Sequence, residues 1–327
     1  MWSFNMEKNN LTKIGAMSSI KKLLLGILSF VIPIIGIIRI FKRPRESYGA
    51  KILSSIVFLI FWIYAATLVY AMAWTMMNSL KTNPEFFEDM MALPRQWLWS
   101  NYQKALSLIN YNGVNFVAMF INSIWFALGS AVLSTMSHAV TGYIFAKYNF
   151  FGKKPFFNFV IFTIALPVVG TLPSLYQVVN QMGINDSPLF LITQLGGFGG
   201  NFLITYAFFK SMDKTYMEAA RMDGASHFTI FRKIMLPQAA PMLFSIGLLY
   251  FIVQWNNYEQ PILMLSKMPT LSTGLYLFSE KMIFDAVNAS QTVYFAGILL
   301  ASLPVVLLVA LFHDKIMENV SAGGIKG

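Results

Sequence analysis

The sequence contains no cysteine, which excludes disulfide frameworks and thiolate metal sites. It is also poor in charge. Asp, Glu, Lys and Arg make up only 12% of its 327 residues, about half the fraction that a soluble domain needs to face water. Patterns that carry bond chemistry are missing too. There is no G-x-x-x-x-G-K-[ST] loop to cradle phosphates, no H-E-x-x-H pair for zinc and no G-x-S-x-G nucleophile elbow. The three histidines, His138, His227 and His313, are far apart in the chain. Ionisable residues are nearly absent from the apolar stretches, with His138 inside one and Glu259 near the end of another. That scarcity opposes a membrane enzyme and a transporter driven by protons or ions, both of which mark their path with such groups.

What remains is apolar. Hydrophobic residues are 56% of the chain, including 30 Phe and 20 Met, and the mean hydropathy is +0.58. A helix crosses the hydrocarbon core in about 20 apolar residues. Uncharged stretches of that order occur at Ile52–Trp74, Val114–Ala146, Pro155–Asn185, Ser187–Phe209, Gln238–Tyr258 and Ala286–Phe312. They lack the alternation of barrel strands and are too long for them. The sequence therefore predicts an all-α integral membrane protein with a six-helix core at residues 52–327, preceded by an N-terminal extension, residues 1–51.

The net charge of +10 is distributed as membrane topology requires, and needs no nucleic-acid partner. The first 51 residues hold nine Lys or Arg, the 147–154 loop three, the 210–237 loop five and the tail two, which is 19 of the 24. The positive-inside bias places these segments, and the C-terminus, in the cytosol. Anionic lipid is the natural partner of such charge. Glu85, Glu88 and Asp89 then fall outside, and Trp97, Trp99 and Tyr102 fit an aromatic belt. The apolar segment Leu23–Ile38 is short, contains Pro33 and has basic flanks. A tilted seventh span from Leu23 to Phe41 and a surface-lying or re-entrant helix both fit it. A cleaved signal peptide does not, because strongly basic residues follow the apolar run.

One loop carries more than composition. Thr215 to Pro237 reads T-Y-M-E-A-A-R-M-D-G-A-S-H-F-T-I-F-R-K-I-M-L-P. Thr215 and Glu218 are spaced as a capping box opening a short helix. Gly224 suits a left-handed helix end, and Ser226 can cap a second helix running past Phe231. Phe228 and Phe231 are spaced to share a packing face, while Ala219 and Ala220 leave a smooth surface for another protein. Glu218, Ala219, Ala220, Gly224, Ile234, Leu236 and Pro237 match every fixed position of E-A-A-x3-G-x9-I-x-L-P, and Asp223-Gly224-Ala225 is a common form of its centre. The chain thus resembles the membrane-spanning permease subunits of binding-protein-dependent ATP-binding cassette (ABC) importers. It is most similar to the second permease subunit of the carbohydrate, maltose-type branch.

The resemblance extends from Ile52 to Gly327. Weaker pieces support it in order: Asn78-Ser79-Leu80-Lys81, Ala146-Lys147-Tyr148, Phe151-Gly152-Lys153, Gln254-Trp255-Asn256-Asn257-Tyr258 with Pro261, and Gly323-Gly324-Ile325-Lys326-Gly327. The first 51 residues fall outside the pattern. The resemblance implies a bacterial cytoplasmic-membrane subunit without catalytic or metal residues, whose loop 211–237 docks on a separate ATPase. Glu218, Ala219, Ala220, Asp223, Gly224, Ala225, Phe228 and Phe231 are its candidate contact residues. It further implies a homologous second permease, two ATPase subunits that bind ATP and magnesium in place of this chain, and an external solute-binding protein. The cargo would be a sugar or oligosaccharide, with an amino acid, polyamine or phosphorus compound as the alternative.

Polar residues inside spans cost energy and so mark function or helix packing. Gln254, Asn256, Asn257 and Glu259 are candidates to border a translocation path, and interhelical hydrogen bonding would explain them as well. Gly196-Gly197-Phe198-Gly199-Gly200 lies within the fourth stretch. Its G-x-x-x-G spacing favours close helix packing, with a local break in a pore-lining helix as the alternative.

Overall fold

The computed structural model describes residues 33–42, 47–166, 170–284 and 290–324. The first part of the N-terminal apolar segment, the beginning of the sixth apolar stretch and the terminal Ile325-Lys326-Gly327 lie outside the described residues. Every regular element among those described is helical, apart from one isolated bridge between Tyr111 and Val114.

The chain divides into two compact units, Met1–Met77 and Asn78–Gly327. In the first, α1 (Pro33–Phe41) precedes α2 (Tyr48–Ser79), an apolar helix of 32 residues. Lys51 Nζ donates to the Phe41 carbonyl at 3.1 Å, satisfying an acceptor at the end of α1 that no helical partner reaches.

The second unit is built around α5 (Phe116–Lys147). Asn115 starts it, its side-chain oxygen accepting from the Ala118 amide at 2.9 Å. Its buried face recurs at helical spacing through Ser123, Ala127, Ser130, Ala131, Ser134, His138, Ala139 and Gly142. Small side chains of this kind let helices approach closely where no water drives them together. At Gly142 a Cβ would come within 2.9 Å of the Tyr206 backbone nitrogen, so only glycine permits this crossing. Packed on α5 are α8 (Gly200–Ser211) and α11 (Leu236–Trp255). The last helix, α14 (Gln291–Gly324), packs against α11 and against α4 (Ser100–Leu108). Short helices α3 (Asn83–Glu88), α12 (Glu259–Met264) and α13 (Leu271–Phe284) lie toward the Phe116 end of α5.

Among the described residues, four helical stretches are long and apolar enough to cross a membrane: Tyr48–Ser79, Phe116–Lys147, His227–Trp255 and Gln291–Phe312. The expected third and fourth spans are discontinuous instead. The third comprises α6 (Lys153–Ala165) and α7 (Thr171–Met182). Leu166 is already extended, at φ −78° and ψ 127°, as a residue preceding proline favours. The fourth consists of a 3-10 turn, Pro188–Gln194, a non-helical stretch at 195–199, and then α8. Of the two readings of the glycine cluster, the favoured one, close packing at Gly196 and Gly200, is corrected here, and the local helix break is the one observed. A Cβ at either position would meet nothing within 4 Å. Four glycines, each about 1 kcal/mol poorer than alanine in a helix, end the helix rather than tighten it.

Toward the same end as α3, the chain from Asn78 to Lys104 is fixed by polar contacts. Asn101 Nδ2 donates to the Ser79 and Lys81 carbonyls at 2.9 and 2.8 Å. Thr82 and Glu85 form a reciprocal capping box on α3. Lys81 is fully buried, its ammonium donating to the Asp89 carbonyl at 2.9 Å. Trp97 and Trp99 are exposed, and Trp99 stacks on Tyr102 with ring centres 5.9 Å apart.

Candidate functional site

At the other end, α8 leads into α9 (Thr215–Met222), a turn, and α10 (His227–Ile230). From there a π-helical turn, Phe231–Met235, runs without interruption into α11. Pro237 accounts for the π turn. Its ring would crowd the carbonyl four residues earlier in an α-helix and it brings no N–H, so the wider turn relieves the conflict.

The left-handed turn expected at Gly224 is present, at φ +78°. The Ala225 amide donates to the Ala220 carbonyl at 2.9 Å and the Gly224 amide to the Arg221 carbonyl at 3.0 Å. That pair of bonds is a Schellman ending. Ser226 caps α10, its hydroxyl accepting from the Thr229 amide at 3.2 Å. The start of α9 differs from the sequence reading. Thr215 is not its cap and forms no box with Glu218. Asp213 takes that part, accepting from the Thr215 amide at 3.0 Å and hydroxyl at 2.7 Å. These two donors hold the Asp213 carboxyl below the usual carboxylate range.

The two short helices have an inner and an outer side. Met217, Ala220, Ile230 and Met235 are buried with Ala139, Tyr143, Phe209, Ala239 and Leu243. Phe231 joins them, its ring 4.9 Å from that of Tyr143. Phe228 does not, and is 68% exposed. Residues three apart lie about 60° apart on a helix, and here that separates a packing residue from a protruding one. The expectation of a shared packing face is therefore corrected. Glu218, Ala219, Asp223 and Gly224 are exposed and Ala225 is half-buried. Tyr216 and Met222, which the motif does not contain, add large exposed apolar groups to the same outer side. Hydrogen bonds tie the pair to the end of α5: Tyr143 to Tyr148 at 3.3 Å, Tyr148 to His227 Nδ1 at 3.0 Å, and Lys147 Nζ to the Met212 carbonyl at 2.5 Å.

The second group of candidates lies near the far end of α11. Gln254 is buried, donating to Gln194 Oε1 at 3.0 Å and accepting from Asn257 Nδ2 at 2.8 Å. Gln194 also donates to Gln260 Oε1 at 3.2 Å, and the Gln260 amide donates to Asn257 Oδ1 at 3.3 Å. The four residues close a ring of hydrogen bonds, and Tyr250 adds a fifth member through Gln194 Oε1 at 3.2 Å. Asn256 donates back to the Ile252 carbonyl at 2.8 Å, while Glu259 is exposed at the start of α12. Gln254 and Asn257 are thus joined to each other, and Asn256 and Glu259 are not part of the ring. Gln194, its hub, was missed, although a lone glutamine in the apolar run Leu189–Leu195 is the kind of costly residue that marks a role. Among the described residues no three His, Asp or Glu gather as a metal site would require.

Comparison with known proteins adds to this geometry. Residues 138–320 match the family described as binding-protein-dependent transport system inner membrane component. The chain is 25% identical over 269 residues to the diacetylchitobiose uptake system permease protein NgcG of Streptomyces coelicolor, covering 81% of this chain and 86% of that one. The probable ABC transporter permease protein YurM of Bacillus subtilis is 25% identical, with 89% and 94% covered. The arabinooligosaccharides transport system permease protein AraQ of Halalkalibacterium halodurans is 28% identical, with 64% and 74% covered. A crystal structure of a bacterial ABC transporter that imports alginate contains a chain of the same fold. Its TM-score is 0.68 at 22% identity, and the match covers 83% of this chain and 99% of that chain.

Proposed function

Because the chain belongs to the family of inner membrane components of binding-protein-dependent transport systems, we propose that it forms half of the pathway of an ATP-driven importer for a sugar or oligosaccharide. The observation that carries the proposal is the helix–turn–helix at Thr215–Met235. It combines a buried side continuous with the α5 and α11 core and an outer side of Glu218, Ala219, Tyr216, Met222 and Phe228. That side suits a protein surface, namely the cleft of a separate ATPase that would supply the nucleotide site and magnesium. The oligosaccharide cargo is supported by the named substrates of NgcG and AraQ.

In this reading the Lys147 end of α5, the Thr215–Met235 pair and the C-terminus face the cytosol of a bacterial cell. A homologous second permease completes the pathway. An apolar cavity of about 550 Å3 supports its place, bordered by Leu128, Val132, Phe244, Leu248, Leu308 and Phe312. An external binding protein delivers the solute to the opposite face. ATP-driven closure of the ATPases moves the coupling pair, and the rigid junction through Tyr143, Phe231 and Met235 carries that movement to α5 and α11.

The test is reconstitution of the chain with its partner permease, ATPase and binding protein in vesicles. Solute uptake is expected only with ATP, and a cysteine at Ser226 should be labelled only from the cytosolic side. Uptake on an ion gradient without nucleotide, or labelling of that cysteine from outside, would overturn the reading.

A further inference from the structure

We propose that the cavity between the start of α6 and the end of α8 binds the phosphate headgroup of an anionic phospholipid from the inner leaflet. The inference rests on the membrane orientation given above and is independent of the cargo.

The cavity holds about 620 Å3 and lies beside the loop that leaves the Lys147 end of α5. Lys153, Lys154, Asn149, Asn158 and Tyr206 border it, and all five side chains carry hydrogen-bond donors. Neither Asp nor Glu borders it, and none occurs in 147–166 or 200–210. The side chains of Lys154, Asn149 and Asn158 and the Tyr206 hydroxyl have no hydrogen-bond partner among the described residues. Lys153 Nζ donates to the Tyr148 carbonyl at 2.8 Å, which leaves its charge without a counter-ion. A third cation, Lys210, lies over the Tyr206 ring with Nζ 5.4 Å from the centroid. Cations gathered without a carboxylate repel one another, and an anion among them removes that cost.

The end of α6 is not what supplies the attraction. Gly152 caps it without a side chain, the Lys153 amide donates to the Phe150 carbonyl at 3.2 Å, and Pro155 has no N–H. Side chains from two helices form the site instead, and packing fixes their spacing. The Phe157 ring lies 4.8 Å from that of Tyr206, which joins α6 to α8. The bond from Lys153 to Tyr148 ties the loop to the same place.

What continues from the cavity favours a lipid over a free anion. Phe159 and Phe162 are 61% and 59% exposed and lie within about 40° of Pro155 around α6. A phosphate held at Lys153 and Lys154 would leave its acyl chains along that apolar face, whereas inorganic phosphate would use only the polar part. Basic pockets between membrane helices on the cytosolic side suit such headgroups. Snorkelling toward the interface accounts for two lysines, but not for the partnerless amides and phenol beside them. The Tyr148 hydroxyl lies 3.0 Å from His227 Nδ1. The lipid would thus sit one hydrogen-bonded step from the proposed coupling pair.

The test uses the assembled transporter in an uncharged detergent, titrated with phosphatidylglycerol or phosphatidylcholine and followed by native mass spectrometry. The tightest-bound phosphatidylglycerol should hold at least about tenfold more strongly than phosphatidylcholine, on the scale of two interfacial charges. Lys154→Gln should weaken it about fivefold, the share of one charge, while Lys154→Arg should keep it. Lys154 has no partner among the described residues whose loss could disturb folding. Tyr206→Phe, which keeps the ring packing, should weaken binding about twofold or more. Lys214→Gln removes an equal charge outside the cavity and should change binding less than about twofold, as screening requires. Inorganic phosphate in large excess should not displace the lipid. Equal affinity for both lipids, wild-type binding by Lys154→Gln, an equal loss in Lys214→Gln, or displacement by inorganic phosphate would overturn the lipid site. Binding in detergent needs neither nucleotide nor a membrane side, so its failure leaves the importer reading standing. Failure of that reading would show in the uptake and labelling test instead.

Discussion

Two glycine-dependent interruptions stand at different depths of this molecule. At the turn between α9 and α10, Gly224 is needed for its backbone angle. Its φ is +78°, and a side chain would meet open space but sit in a strained conformation. At the break before α8 no such angle is involved at Gly196 or Gly200. There the glycines act by failing to sustain a helix, and polar side chains from distant parts of the chain hold what results. One interruption is made by its own residues, the other by Thr141, Gln194, Thr205 and Gln254. A local device can be written as a motif, whereas a device assembled from α5, α8 and α11 cannot.

The comparison can be broken most severely at Gln194. Gln194→Leu removes the partner of Gln254 Nε2, Gln260 Oε1 and the Tyr250 hydroxyl, at about 1–3 kcal/mol for each group left buried and unpaired. Thermal unfolding of the purified subunit should show a loss of at least 2 kcal/mol, on the order of that range. ATPase binding to the coupling pair should be unaffected. Equal stability would mean that water replaces the hub and that the break does not depend on it.

Gly224→Val should do the reverse. Forcing a β-branched residue into the left-handed region costs about 1–2 kcal/mol locally and reorients α10. Retention of the ATPase on purification should then fall sharply, with membrane insertion preserved. Gly224→Asn should restore part of it, because asparagine tolerates this conformation.

Smaller effects sharpen the picture at the start of α9. Asp213→Ala removes the cap and should weaken ATPase retention a few-fold. The Asp213 carboxyl is held below its ordinary range by Thr215, so its contribution is complete at neutral pH. It is lost as the pH falls from the ordinary value through the depressed one. The advantage of the wild type over the variant should therefore vanish in acid. Glu218→Ala should leave unfolding within about 0.5 kcal/mol of wild type, because Glu218 caps nothing, yet lower uptake if the carboxylate meets the ATPase. Lys214→Ala should change neither.

Helical membrane architecture was legible because apolar length is a one-dimensional property, and both the turn at Gly224 and the cap at Ser226 depend on residues within five positions of each other. The supposed Thr215–Glu218 box failed because Asp213, two residues upstream, competes for the same amide. Phe228 and Phe231 were grouped by spacing, but only the position of Tyr143 decides which one is buried. The discontinuity of the third span escaped, and that of the fourth was only the less favoured of two readings, because hydropathy counts glycine and proline as uncharged and takes no account of whether they continue a helix. Gln194 escaped because its partners Tyr250, Gln254 and Gln260 are more than fifty residues away.

The π turn at Phe231–Met235 bears on how a movement of the proposed coupling pair would reach the membrane. Each residue of an α-helix advances its direction by about 100°, and a π turn accommodates one residue more than an α turn. The short helices therefore enter α11 with a built-in angular offset, like two shafts keyed one tooth out of alignment. Because Pro237 opposes α geometry at that point, the offset is a fixed property of the junction rather than an adjustable one. A push on the outer side would therefore reach α11 turned by that offset, not straight along the direction in which it was applied.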